Sequence, residues 1–151
     1  LPPRRIANCL HPLMKAAMRT LIHYVAVLAF AAVVAVTQTG CVGVPIQNVK
    51  DAVVVTSSGK TLSADQVRAA IIRAGTGLGW QITEEAPGKL VGTLVLRTHT
   101  AVVDIFYTAT TYSIQYRSSI NLDESGGQIH KNYNGWITNL VKGINTQTAL
   151  S

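Results

Sequence analysis

Trp80–Arg97 reads WQITEEAPGKLVGTLVLR, and the fold turns on the period of this stretch. Trp80, Ile82 and Glu84 fall on one side of an extended chain. After Pro87-Gly88, Leu90, Gly92, Leu94 and Leu96 share one face, and Val91, Thr93, Val95 and Arg97 share the other. A two-residue period marks a strand, and Pro-Gly sets a tight turn, so the stretch predicts a strand pair. Ala101–Tyr107 and Thr111–Ser118 continue the pattern, the latter with Tyr112, Ile114 and Tyr116 alternating with Ser113, Gln115 and Arg117. Four strands joined by short connections imply an antiparallel meander.

On either side of the meander the period changes to that of a helix. Ser63 with Gln66 three residues on forms a capping box, Val67, Ala70, Ile71 and Ala74 recur at helical spacing, and Gly75 closes the helix. The glycines of AGTGLGW follow a helix instead of opening one, which makes them turn residues and not a phosphate loop. Beyond the loop SINLDESGGQ, a second helix is expected from Ile129 to about Gln147, with Ile129, Tyr133, Trp136, Ile137, Leu140, Val141 and Ile144 in one apolar stripe. The predicted fold is α+β: a helix, a four-stranded antiparallel meander, and a C-terminal helix packed on one sheet face, both helices sharing that face. Trp80, Tyr112, Tyr116, Tyr133 and Trp136 are expected to fill the space between. Gly135, Asn139 and Gly143 form a row four apart that either admits a close neighbour or is exposed. The second sheet face carries Val91, Val95, Val102 and Phe106 among Thr93, Asp104 and Arg117, and is either covered by the N-terminal segment or open to a partner.

Upstream of the first helix the composition shifts. Tyr24–Val36, YVAVLAFAAVVAV, is thirteen residues without charge, preceded by Lys15 and Arg19 and followed by TQTG. That is the layout of an export signal, and it is shorter than the roughly 20 apolar residues of a spanning helix. Translation is expected to start at Met14 or Met18. Thr39-Gly40-Cys41 is similar to the lipobox of bacterial lipoproteins, with Gln38 where that motif has Leu, Val or Ile. The resemblance implies that Cys41 is acylated and that the chain is cut before it. A lone cysteine in an exported chain otherwise invites unwanted pairing. The expected organisation is residues 1–40 as an export signal with an upstream extension that is removed, 41–62 as a lipidated tether with one possible strand in the β-branched run Ala52–Thr56, and 63–151 as a single α+β periplasmic domain. An uncleaved inner-membrane anchor is the reading that Gln38 leaves open.

Charge and side-chain chemistry limit the function classes. The net charge is +6, but four of the thirteen basic residues precede the apolar run, and removing them leaves nine against seven acidic. The nine are scattered singly, so no nucleic-acid surface is expected. No cofactor and no metal is expected, because the mature part has two histidines, His99 and His130, without ligand spacing. Asp123 and Glu124 are adjacent, as are Glu84 and Glu85, so neither pair forms an acid/base constellation by spacing. No catalytic residue is expected; an alternative is a hydrolase or small-ligand sensor in which His99, His130 and Tyr133 converge in one cleft.

AIIRAGTGLGW, PGKLVGTLVLRTHTAVVDIFY, YSIQYRSSINL and IHKNYNGWITNL together resemble a group of small lipoproteins of Gram-negative bacteria. The resemblance runs from about Ser63 to Ile144, and its most specific part is the pattern I-H-x-x-Y-N-x-W-x-x-x-L, fitted by His130, Tyr133, Asn134, Trp136 and Leu140. It implies an α+β fold and an envelope location. Val42 after Cys41 resembles an outer-membrane sorting signal. The expected protein is an outer-membrane lipoprotein facing the periplasm, held to the membrane by its N-terminal lipid and contacting an envelope protein through a non-enzymatic domain, with His130, Tyr133, Asn134 and Trp136 as candidate interaction residues.

Overall fold

In the computed structural model, which describes residues 43–151, the described chain is α+β. The expected export signal, Met14, Met18 and Cys41 lie outside the described residues. Seven strands and two helices follow in the order β1 (Val44–Pro45), β2 (Val49–Val53), α1 (Ala64–Gly77), β3 (Trp80–Ala86), β4 (Lys89–Leu96), β5 (His99–Tyr107), β6 (Thr111–Ile120), β7 (Gln128–Ile129) and α2 (Asn132–Ala149). One antiparallel sheet has the order β2-β6-β5-β4-β3, and β1 pairs with β7 in a separate two-stranded ribbon.

The main sheet therefore has five strands, where the periodicity predicts four. The fifth comes from residues expected as tether: β2 adds to the β6 edge, with Val49 opposite Ile114 and Ala52 opposite Tyr112. Three steps on β2 match two on β6, so one residue bulges out, and Asp51 takes the left-handed conformation at φ +47°. Its amide donates to Ser113 Oγ at 2.9 Å, and that hydroxyl donates to Asp51 Oδ1 at 3.2 Å. The bulge lets Val49 and Ala52 both join the core face.

Both helices lie on one face. Trp80, Leu90, Leu94, Ala101, Val103, Ile105, Tyr107, Tyr112 and Ile114 turn toward them and are buried, against Val67, Ala70, Ile71 and Ala74 of α1 and Tyr133, Ile137, Leu140 and Ile144 of α2. α1 has the capping box read from the sequence, with Gln66 N donating to Ser63 Oγ and Ser63 N donating to Gln66 Oε1. It does not stop at Gly75: it runs to Gly77, and Gly79 at φ +85° makes the exit. Gly75 serves approach instead. A methyl group there would sit 2.6 Å from Ile82 Cγ1, and one at Gly92 would sit 3.3 Å from Trp80 Cε3. The two glycines open the slot in which Trp80 and Ile82 lie between helix and sheet.

α2 starts at Asn132, three residues later than the apolar stripe predicts, because Ile129 belongs to β7 and His130 to the turn between them. In the row of small residues, a methyl group at Gly143 would sit 3.2 Å from Leu78 Cδ1 and 3.4 Å from Ala74 Cβ, while one at Gly135 would meet open space. The first therefore admits α1 and the second is exposed. Trp80, Tyr112 and Tyr133 fill the core; Tyr116 and Trp136 are only half-buried against it.

Candidate functional site

Four places hold side chains of chemical interest. The first is the sheet face turned away from the helices. Residues of opposite sign meet there because neighbouring strands bring outward positions side by side: Val91 opposes Asp104, and Lys89 opposes Phe106. Alternation after Ser113 and Gln115 already turns Arg117 onto this face, and a second bulge, between the pairs Val102–Ser118 and Val103–Tyr116, adds Ser118 and Ile120 to it. Arg117 Nη2 lies 2.8 Å from Glu85 Oε1 and 2.6 Å from Asp104 Oδ1, and Lys89 Nζ is paired with Glu85 and 3.5 Å from Asp104. The short Arg117–Asp104 approach is an ion contact without hydrogen-bond alignment. Lys89 holds the Glu85 carboxyl below the usual carboxylate range, with Arg117 adding to it, and Glu85 in turn raises Lys89 and Arg117. Lys89 Nζ also sits 5.4 Å above the Phe106 ring. Around this quartet Val91 and Val102 are half-buried, Phe106 is 38% exposed and Val95 61% exposed.

The second place is the rim where β5 begins and β7 ends. His99 and His130 come within 6.4 Å between ring centroids, their planes 19° apart. Backbone groups hold the two rings differently. Asn121 O lies 2.6 Å from His99 Nδ1 and accepts its proton. Asn132 N donates to His130 Nδ1 at 3.3 Å, which leaves His130 Nε2 as a donor. Lys131, at the N-cap of α2, provides no side-chain cap, so the His130 ring is the acceptor at the start of the helix.

Tyr133 does not join the two histidines at the surface. It is fully buried, packs edge-on to Tyr116 at 5.5 Å, and its hydroxyl has no hydrogen-bond partner. Burial raises its phenol above the ordinary range, and Tyr116 adds to the rise. The three-residue cleft is thus reduced to a pair of rings with the tyrosine sealed beneath the helix.

Asn134 has a positioning role that the pattern alone does not disclose. Its Nδ2 donates to Pro45 O at 2.9 Å and its Oδ1 accepts from Gln47 N at 3.0 Å, so one amide clamps the backbone entering the domain. Ile46 N donating to Gly127 O at 3.0 Å completes the seam. Asn134→Ala removes both partners, and at about 1 kcal/mol for each net hydrogen bond the loss is expected near 2 kcal/mol. Amide exchange at Gln47 should rise with it; unchanged protection there would mean that the ribbon holds without the clamp.

Among the described residues no three His, Cys, Asp or Glu side chains come together to hold a metal ion. Nor is any described helix long and apolar enough to cross a membrane. Comparison with protein-family models, with curated proteins and with solved structures finds no match to this chain.

Proposed function

We propose that the chain is an envelope lipoprotein, acylated at Cys41 and sorted to the outer membrane, whose periplasmic domain binds another envelope protein without catalysing a reaction. The observation that carries this reading is the outer face of the sheet. Among the described residues both helices pack on the opposite side, and Val49–Val53 adds to the sheet edge as β2 instead of lying over that face. Val91, Val102 and Phe106 then lie beside a preordered ion quartet, so the face offers a partner apolar contacts and fixed charges together.

A photo-crosslinking side chain placed at Gln115, exposed beside Asp104 on this face, is expected to give a reproducible adduct in intact cells. The same group at Lys142, exposed on α2, is expected to give none. Equal labelling from both, or none from Gln115, would remove the proposed binding face. A second reading, a small-ligand sensor, draws on the His99–His130 pair, whose ring centroids lie 6.4 Å apart on the rim. Chemical-shift changes confined to these two rings would favour it over the first.

A further inference from the structure

We propose that the end of the domain bearing Val95, Leu96 and Ile120 rests on the lipid bilayer, so that the domain stands on its membrane in one fixed orientation. The inference rests on acylation of Cys41 and adds to it the surface that meets the lipid.

Its first support is where the chain enters the fold. Gly43 is already packed on Gln128 and Ile129, and Val44 is paired with Ile129. One residue separates Gly43 from Cys41, so the anchored cysteine lies within about 7 Å of Gly43 along any allowed backbone. Residues 44–62 are therefore not a spacer. The domain is fastened at its entry point by the β1–β7 ribbon and the Asn134 clamp, and lipid on Cys41 brings that end of the molecule against the membrane.

The second support is what that end displays. From Gly43 the neighbours run through Ile129 to His130, from His130 to the stacked His99, and from His99 to its strand partner Leu96 and its hydrogen-bond partner Asn121. Next to these, Val95 opposes Thr100 and Thr100 opposes Ile120 across three adjacent strands. Val95 is 61% exposed, Leu96 48% and Ile120 59%. Val95 and Ile120 on the outer face and Leu96 on the inner one thus expose three aliphatic side chains at the end of the sheet that carries the His99–His130 pair, the end at which the chain enters. Arg97 and Lys131 flank them, and Asp123 and Glu124 lie in the adjoining loop. The charges nearly cancel, so apolar insertion and the short covalent reach set the orientation, with no need for anionic lipid.

The molecule supplies its own control. Val53, 68% exposed, and Val55, 52% exposed, are similar aliphatics at the opposite end of the sheet, where Val53 pairs with Thr111 at the start of β6. Residues 41–151, methyl-labelled, would be coupled through the Cys41 thiol to a maleimide phospholipid in nanodiscs of phosphatidylethanolamine and phosphatidylglycerol. A nitroxide lipid would then be added. Methyl signals of Val95, Leu96 and Ile120 are expected to be lost while those of Val53 and Val55 survive. Val95→Ser combined with Ile120→Ser changes two exposed positions, keeps the fold, and should let the remaining Leu96 signal recover. Equal broadening of both ends, or preferential loss at Val53 and Val55, overturns the orientation, as does a protein seated on the rim in place of lipid. Chemical coupling makes this result independent of acylation in the cell. The intact mass of the membrane-extracted protein tests acylation separately, and a mass without acyl groups removes the reading on which the proposal rests.

Discussion

Trp80→Ala is expected to cost about 3 to 5 kcal/mol, the range for truncating a buried aromatic, read as a drop in the urea midpoint. Trp80 is 3% exposed at the first residue of β3, directly after α1. It lies in a slot that two glycines keep open, Gly75 from the helix side and Gly92 from β4. Neither glycine can supply atoms to refill the space, so little collapse around the cavity is available. Gly92→Ala tests the same slot from the other side: its methyl would meet Val103 Cγ2 at 3.1 Å and Ile82 Cδ1 at 3.2 Å as well as the indole. The wild-type background should lose stability from that methyl, whereas the Trp80→Ala background should tolerate it better. A Trp80→Ala loss of only about 0.5 kcal/mol, typical of a surface position, would mean that helix and sheet do not depend on the slot.

Tyr133→Phe is expected to change the alkaline limb of stability. Burial and then Tyr116 raise the folded-state pKa of Tyr133, while in the unfolded chain a tyrosine ionises near 10. Above that pH the unfolded state gives up a proton that the folded state keeps, so it binds fewer protons and stability falls as pH rises. The slope approaches about 1.4 kcal/mol per pH unit, which integrates to roughly 2 kcal/mol between pH 10 and 12 from this residue. Tyr112, also raised by burial, contributes with the same sign and remains in the variant. Tyr133→Phe should therefore flatten the limb by about one proton's worth. At pH 7 it should be at least as stable as the wild type, since it removes a buried hydroxyl without a partner. Identical alkaline limbs in the two proteins would show that the hydroxyl reaches water.

The parts of the fold that could be read from the sequence are those with a long enough period. β3 through β6 alternate around Pro87-Gly88 over most of their length, the bulge at Arg117 falling near the end of β6, and the start of α1 is written in Ser63 and Gln66. β2 was legible only in part, as a possible strand over Ala52–Thr56, because Val49 and Ala52 share a face only through the bulge at Asp51; a strict alternation would group Val49 with Asp51 and Val53. The ribbon strand β7 was absorbed into α2 for a related reason. Ile129 falls on the helical stripe by spacing, yet it pairs with Val44, a partner more than eighty residues away that no local period reveals. Among the candidate residues, the approach of His99 to His130 depends on the loop from Asn121 to Gly127, which takes positive φ at Asn121, Asp123, Gly126 and Gly127. The two glycines signal a turn in the sequence, but nothing there tells which rings the turn brings together. Asn134 stood out in the motif without its role, since both of its partners are backbone groups, which any sequence supplies.

The bulge on β2 also decides how these molecules behave toward each other in a crowd. An edge strand with free amides is a template for a neighbouring chain, and anchorage to a surface raises the local concentration at which such neighbours meet. Here the Asp51 amide is already spent on Ser113, and the left-handed turn at that residue breaks the straight row of donors an incoming strand would need. At the far edge, β3 presents Glu84 and Glu85 in succession. The same aspartate that brings Val49 and Ala52 into the core thus also blunts this edge of the sheet against pairing with a second copy.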